Sequence, residues 1–255
     1  MIKLGFSYIG LRQICGPLAT VVLSVALGVG GAVIVSAQPA TEAYESGPAS
    51  RDGIGRFYLG REISHVMGHL GASWLERPER EREERTDLLL DMLALPADAI
   101  VVDLGAGTGY FSFPIAEKLG TGKVLAVDIQ PEMLQLIEQR KASAGISNIE
   151  TVLATECDPG LPAAQVDLVL LVDAYHEFSC PREVMTGVAR ALAPGGRVAL
   201  VEYRGEDPRV PIKPLHKMTV AQSEREMAAV GLVLESVDSR LPMQHLMFFR
   251  QAEPR

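Results

Sequence analysis

Val101-Val102-Asp103-Leu104-Gly105-Ala106-Gly107-Thr108-Gly109-Tyr110 decides how this chain folds. An apolar strand closes on a carboxylate, and three glycines at alternate positions follow, removing side chains where a ligand must approach the backbone. A second apolar run, Val124-Leu125-Ala126-Val127, ends in Asp128. It stands about twenty residues beyond the glycine turn, the separation of an acid that accepts hydrogen bonds from both hydroxyls of a ribose. The two runs describe a nucleoside site on an α/β sheet. A dinucleotide site calls for a glycine at position 110, where the first helix offers its N-terminus to a pyrophosphate; Tyr110 stands there instead.

Outward from this turn, strands and helices alternate. Strands are expected at 100–104, 124–128, 149–154, 167–173, 197–202, 233–238 and 244–250. A helix from near Tyr110 is stopped by Gly120 and Gly122, another over 132–144 is opened by Pro131 and closed by Gly145, and a third spans 181–192. Ala193-Pro194-Gly195-Gly196 reads as the turn after it. Thr219 and Gln222 form a capping box for a helix reaching Val230. Right-handed crossovers between such units give an open α/β sheet, doubly wound and Rossmann-like. The final two strands have no helix between them and should pair antiparallel.

The Gly-x-Gly-x-Gly turn with Asp128 resembles the class I S-adenosylmethionine-dependent methyltransferases, over roughly 98–250; the chain is also similar to uncharacterised bacterial methyltransferases of the type 11/25 group. The resemblance implies a seven-stranded sheet with its last strand antiparallel, and S-adenosylmethionine as cofactor. It sets Gly105, Ala106, Gly107 and Gly109 under the methionyl and ribose parts, the ribose on Asp128, the adenine on Ile129 and the methionine ammonium at Asp103. Thr155 and Glu156 stand where many relatives contact the adenine amino group, in an Ala-Thr-Glu-Cys run that departs from the commoner Gly-Asp-Ala. Asp173 closes the fourth strand at the same opening.

Methyl transfer asks little acid–base chemistry of a protein, because the sulfonium is already activated; the main task is to hold donor and nucleophile in line. The loop after strand four borders the methyl group in this family, so His176 and Glu177 are the catalytic candidates. For His176, a general base, a contact to substrate or cofactor, and a structural hydrogen bond all remain open. His65, His69, Tyr175, Tyr203, Lys213 and His216 are candidate acceptor contacts, since four of the five histidines fall in three segments able to flank one opening. His65 and His69 with His176 or His216 could bind a metal, but no carboxylate sits in an HExxH arrangement and the spacing alone is weak, so no metal is assigned. Two rival functions stand beside a methyltransferase: a NAD-type dinucleotide oxidoreductase, which Tyr110 disfavours, and a non-catalytic S-adenosylmethionine-binding module.

At 255 residues and 47% hydrophobic content, one full core plus appendages is expected. A net charge of −8 argues against a nucleic-acid footprint and for a small-molecule substrate. The chain divides into a leader (1–37), a linker (38–53), a helical cap (54–95) and the methyltransferase domain (96–255). Lys3 and Arg12 precede an uncharged stretch whose apolar part, 18–35, ends in Val35-Ser36-Ala37, a small-x-small cleavage pattern. This reads as an export signal, or as a membrane anchor through 14–36, with a cytoplasmic location as the alternative. Within the cap, the charge run 79–85 reads as a solvated helix surface, and His65 and His69 lie four apart on one helical face. Cys157 and Cys180 read as two buried thiols or a disulfide, the thiols preferred. Nothing in the sequence fixes the oligomeric state.

Overall fold

The computed structural model describes residues 43–253. The leader and its cleavage pattern therefore lie outside the described residues. Three strands come first: β1 (Tyr44–Ser46), β2 (Gly53–Tyr58) and β3 (Arg61–Ser64), antiparallel in that order. Short helices follow, α1 (Ala72–Leu75), α2 (Arg80–Glu84) and α3 (Thr86–Met92). The α/β domain then runs β4 (Ile100–Leu104), α4 (Ser112–Lys118), β5 (Lys123–Asp128), α5 (Pro131–Ala144), β6 (Ile149–Leu153), β7 (Val166–Val172), α6 (Pro181–Ala191), β8 (Leu192–Tyr203), α7 (Val220–Ala228), β9 (Leu232–Asp238) and β10 (Gln244–Gln251).

The seven-stranded sheet has the order β6-β5-β4-β7-β8-β10-β9, parallel from β6 to β8, with β10 antiparallel to both β8 and β9. Its order turns about β4, so the loops after β4 and β7 face each other across the switch point, where ligands of open α/β sheets bind. The central strands read as unbroken apolar runs because both faces are covered. Val101, Val124, Ala126, Leu168, Leu170 and Ala199 pack on one face with Leu89, Phe113 and Ile115; Val102, Leu125, Val127, Val169 and Leu171 pack on the other with Met185, Val188 and Met227. Each fully buried aliphatic side chain contributes on the order of 1.5–3 kcal/mol. Thr219 caps α7, its side chain accepting from Gln222 N–H, and Gly145 ends α5 at φ 66°.

Four expectations need correction. The cap is helical only in part: 54–64 is mostly strand, and β1 lies inside the expected linker. Tyr58 pairs with Arg61, leaving Leu59-Gly60 as a two-residue turn with φ 47° and 87°. Such turns need positive φ at both residues, and a leucine in the first place hides the hairpin from a sequence reading. Second, the charge run is solvated on one face only: Glu81 and Arg82 are exposed, whereas Arg80 and Glu84 are 5% and 3% exposed. Third, Ala193-Pro194-Gly195-Gly196 is a bulge within β8: pairing with β7 passes from Val166↔Leu192 directly to Leu168↔Arg197. Fourth, Cys157 and Cys180 form a disulfide across 23 residues. Among the described residues no helix is long and apolar enough to cross a membrane.

Candidate active site

Two adjoining cavities open above the carboxyl ends of the parallel strands. The first, about 370 Å³, is floored by Gly105 and Gly107 and walled by Asp128, Ile129, Thr155 and Glu156. Glycine is required in its floor. Gly105 and Gly107 have φ of 79° and 55°, and a Cβ would come within 2.8 Å of Ala174 Cβ or 2.7 Å of Leu75 Cδ1, respectively. Asp128 is fixed at both oxygens: Gly107 N–H donates to Oδ2 at 2.8 Å and Gln130 N–H to Oδ1 at 2.9 Å. Burial raises its carboxyl above the ordinary value, while these backbone donors favour the charged form.

The second cavity, about 570 Å³, shares His65, Met67, Leu75, Asp173 and Glu177 with the first and continues past His176, Tyr203, Lys213 and His216. His176 is 2% exposed. Its Nδ1 lies 2.6 Å from Oε2 of the fully buried Glu202, and its backbone N–H donates to Glu202 Oε1 at 3.2 Å. A carboxylate can only accept, so Nδ1 carries a ring proton towards Glu202, and Nε2 is turned to His216, whose Nδ1 is 3.2 Å away. Burial, then the neighbouring His176 and Lys213, holds His216 below the usual imidazole value. Glu177 Oε1 lies 3.9 Å from His176 Nε2 and 3.8 Å from His216 Nδ1. Burial raises the Glu177 carboxyl, with His176 opposing.

The turn that carries His176 is held by the N-terminal sheet. Arg61 and Ser64 donate to the His176 carbonyl at 3.0 and 3.3 Å, and Met67 N–H donates to Glu177 Oε2 at 3.0 Å. Arg61 is itself fixed by a bidentate pair to the buried Glu226, at 2.7 and 2.9 Å. Asp173 Oδ2 accepts from Gln244 at 2.8 Å, whereas Oδ1 is buried without a partner. Burial, reinforced by Glu84 and Glu202, pushes the Asp173 carboxyl well above the ordinary value.

Residues 101–196 match the family described as "Methyltransferase domain". An uncharacterized methyltransferase of Mycobacterium bovis is 37% identical over 123 residues, 48% of this chain and 47% of its own length. Nocamycin O-methyltransferase of Saccharothrix syringae is 31% identical over 113 residues, 44% of this chain and 40% of its own. The crystal structure of an S-adenosylmethionine-dependent methyltransferase from Aquifex aeolicus superposes with a TM-score of 0.67 at 20% identity, covering 72% of this chain and 98% of that one. Residues 101–196 are thus similar to a methyltransferase domain, and the α/β sheet shares the fold of the Aquifex aeolicus structure. The chain spans about half the length of the curated relatives it matches.

Most of the expected residues reach one of the two cavities. Gly105, Gly107, Asp128, Ile129, Thr155, Glu156 and Asp173 line the first; His65, Tyr203, Lys213, His216, His176 and Glu177 line the second. Five do not line either. Asp103 turns into the interior and accepts from Ser112 Oγ at 2.6 Å, so the methionine ammonium is not expected there. Ala106 and Gly109 close the turn, Gly109 N–H donating to the Ala106 carbonyl at 2.8 Å. Tyr175 is fully buried, its hydroxyl donating to Glu226 at 2.8 Å. His69 shares no helical face with His65, because 65–68 is not helical; its ring lies outside both cavities, 3.9 Å from Glu132. Tyr203 and Lys213 reach the second cavity already engaged, Tyr203 to Glu84 at 2.9 Å and Lys213 to Asp52 at 2.7 Å. The partner that sequence reading missed is Glu202. Its only sequence signal is its place, closing an apolar strand as Asp103, Asp128 and Asp173 do.

Proposed function

We propose that this chain transfers a methyl group from S-adenosylmethionine to a small-molecule acceptor. The observation that carries the reading is the pair of joined cavities: a glycine-floored chamber closed by Asp128, sharing Asp173 and Glu177 with a chamber closed by two histidines. When bound, S-adenosylmethionine supplies a methyl group already activated on its sulfonium. Asp128 would hold the ribose hydroxyls, Ile129 the adenine face, and the partnerless Asp173 Oδ1 the methionine ammonium. That orphaned oxygen is what a buried carboxylate awaiting a cation looks like.

On the acceptor side, His176 is oriented by Glu202 so that its Nε2 faces the second cavity beside His216 and Glu177. Met67 and Leu75, contributed by the N-terminal segment, help to shed water from the junction of the chambers. A relative named as an O-methyltransferase supports an oxygen acceptor. Residues 1–37 we read as an export leader or anchor, and a disulfide outside the leader suits an oxidising compartment.

Calorimetry with S-adenosylmethionine and with NAD tests the cofactor, and release of S-adenosylhomocysteine across a panel of hydroxylated small molecules tests transfer. Binding of NAD in preference would overturn the reading; binding without release from any acceptor would favour a non-catalytic module. N-terminal sequencing of fractionated cells tests export, with a mature start at Gln38 expected for cleavage.

A further inference from the structure

Three potential ligand atoms converge at the acceptor end of the second cavity. His176 Nε2, His216 Nδ1 and Glu177 Oε1 are separated by 3.2, 3.8 and 3.9 Å. The equidistant point in their plane lies about 2.1 Å from each, near the bond length of a zinc-class ion to imidazole nitrogen and carboxylate oxygen, and a small inward shift of the ligands would let the ion rise toward the open side. These three residues are the group among the described residues whose ligand atoms gather closely enough to hold one ion.

The surroundings fit a cation as well as the distances do. His176 is locked by Glu202 through its other ring nitrogen at 2.6 Å, the carboxylate–histidine arrangement that fixes the tautomer of a metal ligand and raises its basicity. Glu177 is held at its other oxygen by Met67 N–H, leaving Oε1 for the cluster. Neither Glu177 nor Glu202 has a lysine or arginine within ion-pair distance among the described residues; their near partners are the imidazoles, with Arg61 acting on Glu202 from farther off. An ion would offset the charge of the two carboxylates. Two nitrogens and one oxygen from three residues, with the remaining side open to the cavity, is the ligand set of a divalent transition metal that keeps a position for substrate.

We propose that His176, His216 and Glu177 bind one divalent cation of the zinc and cobalt class, which takes the acceptor hydroxyl as its open-side ligand. This rests on the methyltransferase reading for its role, though not for its existence. The ion would lower the hydroxyl's pKa so that its proton leaves to solvent water. The oxygen then forms its bond to the methyl carbon as the carbon–sulfur bond breaks, and that electron pair returns to sulfur.

The test uses the full chain stripped with a chelator and titrated with Co²⁺, followed by visible absorption, with Zn²⁺ as competitor. One equivalent of Co²⁺ should bind, give ligand-field bands and be displaced by Zn²⁺. His216→Ala should weaken binding at least tenfold while circular dichroism keeps its native form, and Glu202→Gln should weaken it through His176. Absence of stoichiometric binding by natively folded protein would overturn the proposal, as would a one-to-one site that His216→Ala leaves unchanged. Calorimetry with S-adenosylmethionine on the same sample separates the two readings: cofactor binding without metal binding removes only the ion, and metal binding without cofactor binding removes only the methyltransferase reading.

Discussion

Asp128 and Asp103 end neighbouring strands, yet their surroundings give them opposite uses. Asp128 faces the first cavity with both oxygens steadied by backbone donors, so it can accept from ribose hydroxyls without moving. Asp128→Ala should weaken S-adenosylmethionine binding by about a hundredfold or more, given roughly 1.5–3 kcal/mol for each hydrogen bond to a charged group. Calorimetry reads this directly, and an unchanged affinity would remove Asp128 from the site. Asp103 is wholly enclosed, and burial, opposed by the Ser112 hydroxyl, pushes its carboxyl from 3.8 to about 6. The folded state therefore binds more protons than the unfolded state between those values, and stability falls as pH rises through that window. Asp103→Asn keeps an acceptor for Ser112 and abolishes the charge. It should stabilise the protein at pH 7 by about 1–3 kcal/mol, at about 1.4 kcal/mol per pKa unit, and by much less at pH 4. Denaturant melts at the two pH values check it; equal effects at both would show that the charge is not what matters.

At the scale of elements, β3 acts as the brace of the turn that carries His176 and Glu177. Arg61 joins the His176 carbonyl to Glu226, which also receives the Tyr175 hydroxyl, so one buried pair ties the N-terminal sheet, that turn and α7 together. Arg61→Met should destabilise by about 3–5 kcal/mol, because Glu226 would stay buried without its counter-charge. Adding Glu226→Gln should recover part of that loss, and a strictly additive double-mutant cycle would deny the coupling. This brace also marks where sequence reading stops. The strands and helices of the α/β domain were legible because each declares itself locally: apolar runs of strand length, Pro131 and Gly145 bounding α5, and Thr219 capping α7. The lining of the first cavity was legible for the same reason, since its glycines and Asp128 act through the backbone near them. The hairpin at Leu59-Gly60 lacks the usual turn residues, the bulge at Gly195 resembles a turn, and Arg61–Glu226, Arg80–Glu84 and His176–Glu202 join residues whose meeting depends on tertiary packing or whose charge suggests solvent.

For the molecule as a whole, the segment before β4 packs into the α/β unit rather than hanging from it as an appendage. Leu75 lies over Gly107, Met67 holds Glu177, and Arg77 and Arg80 flank Glu84, which accepts from Tyr203 on the central sheet. Removing residues 1–95 would leave Glu226 and the Tyr203 hydroxyl without these partners and open the junction of the two cavities to water. A chain beginning at 38 should therefore melt in one transition, which S-adenosylmethionine at a hundred times its dissociation constant should stabilise by about 2.7 kcal/mol. A chain beginning at 96 should melt at lower temperature, with that ligand shift lost. Circular dichroism melts with and without S-adenosylmethionine decide the matter: an unaltered ligand shift in the shorter chain would mean that the α/β domain builds the cofactor site alone and that the N-terminal segment serves only the acceptor.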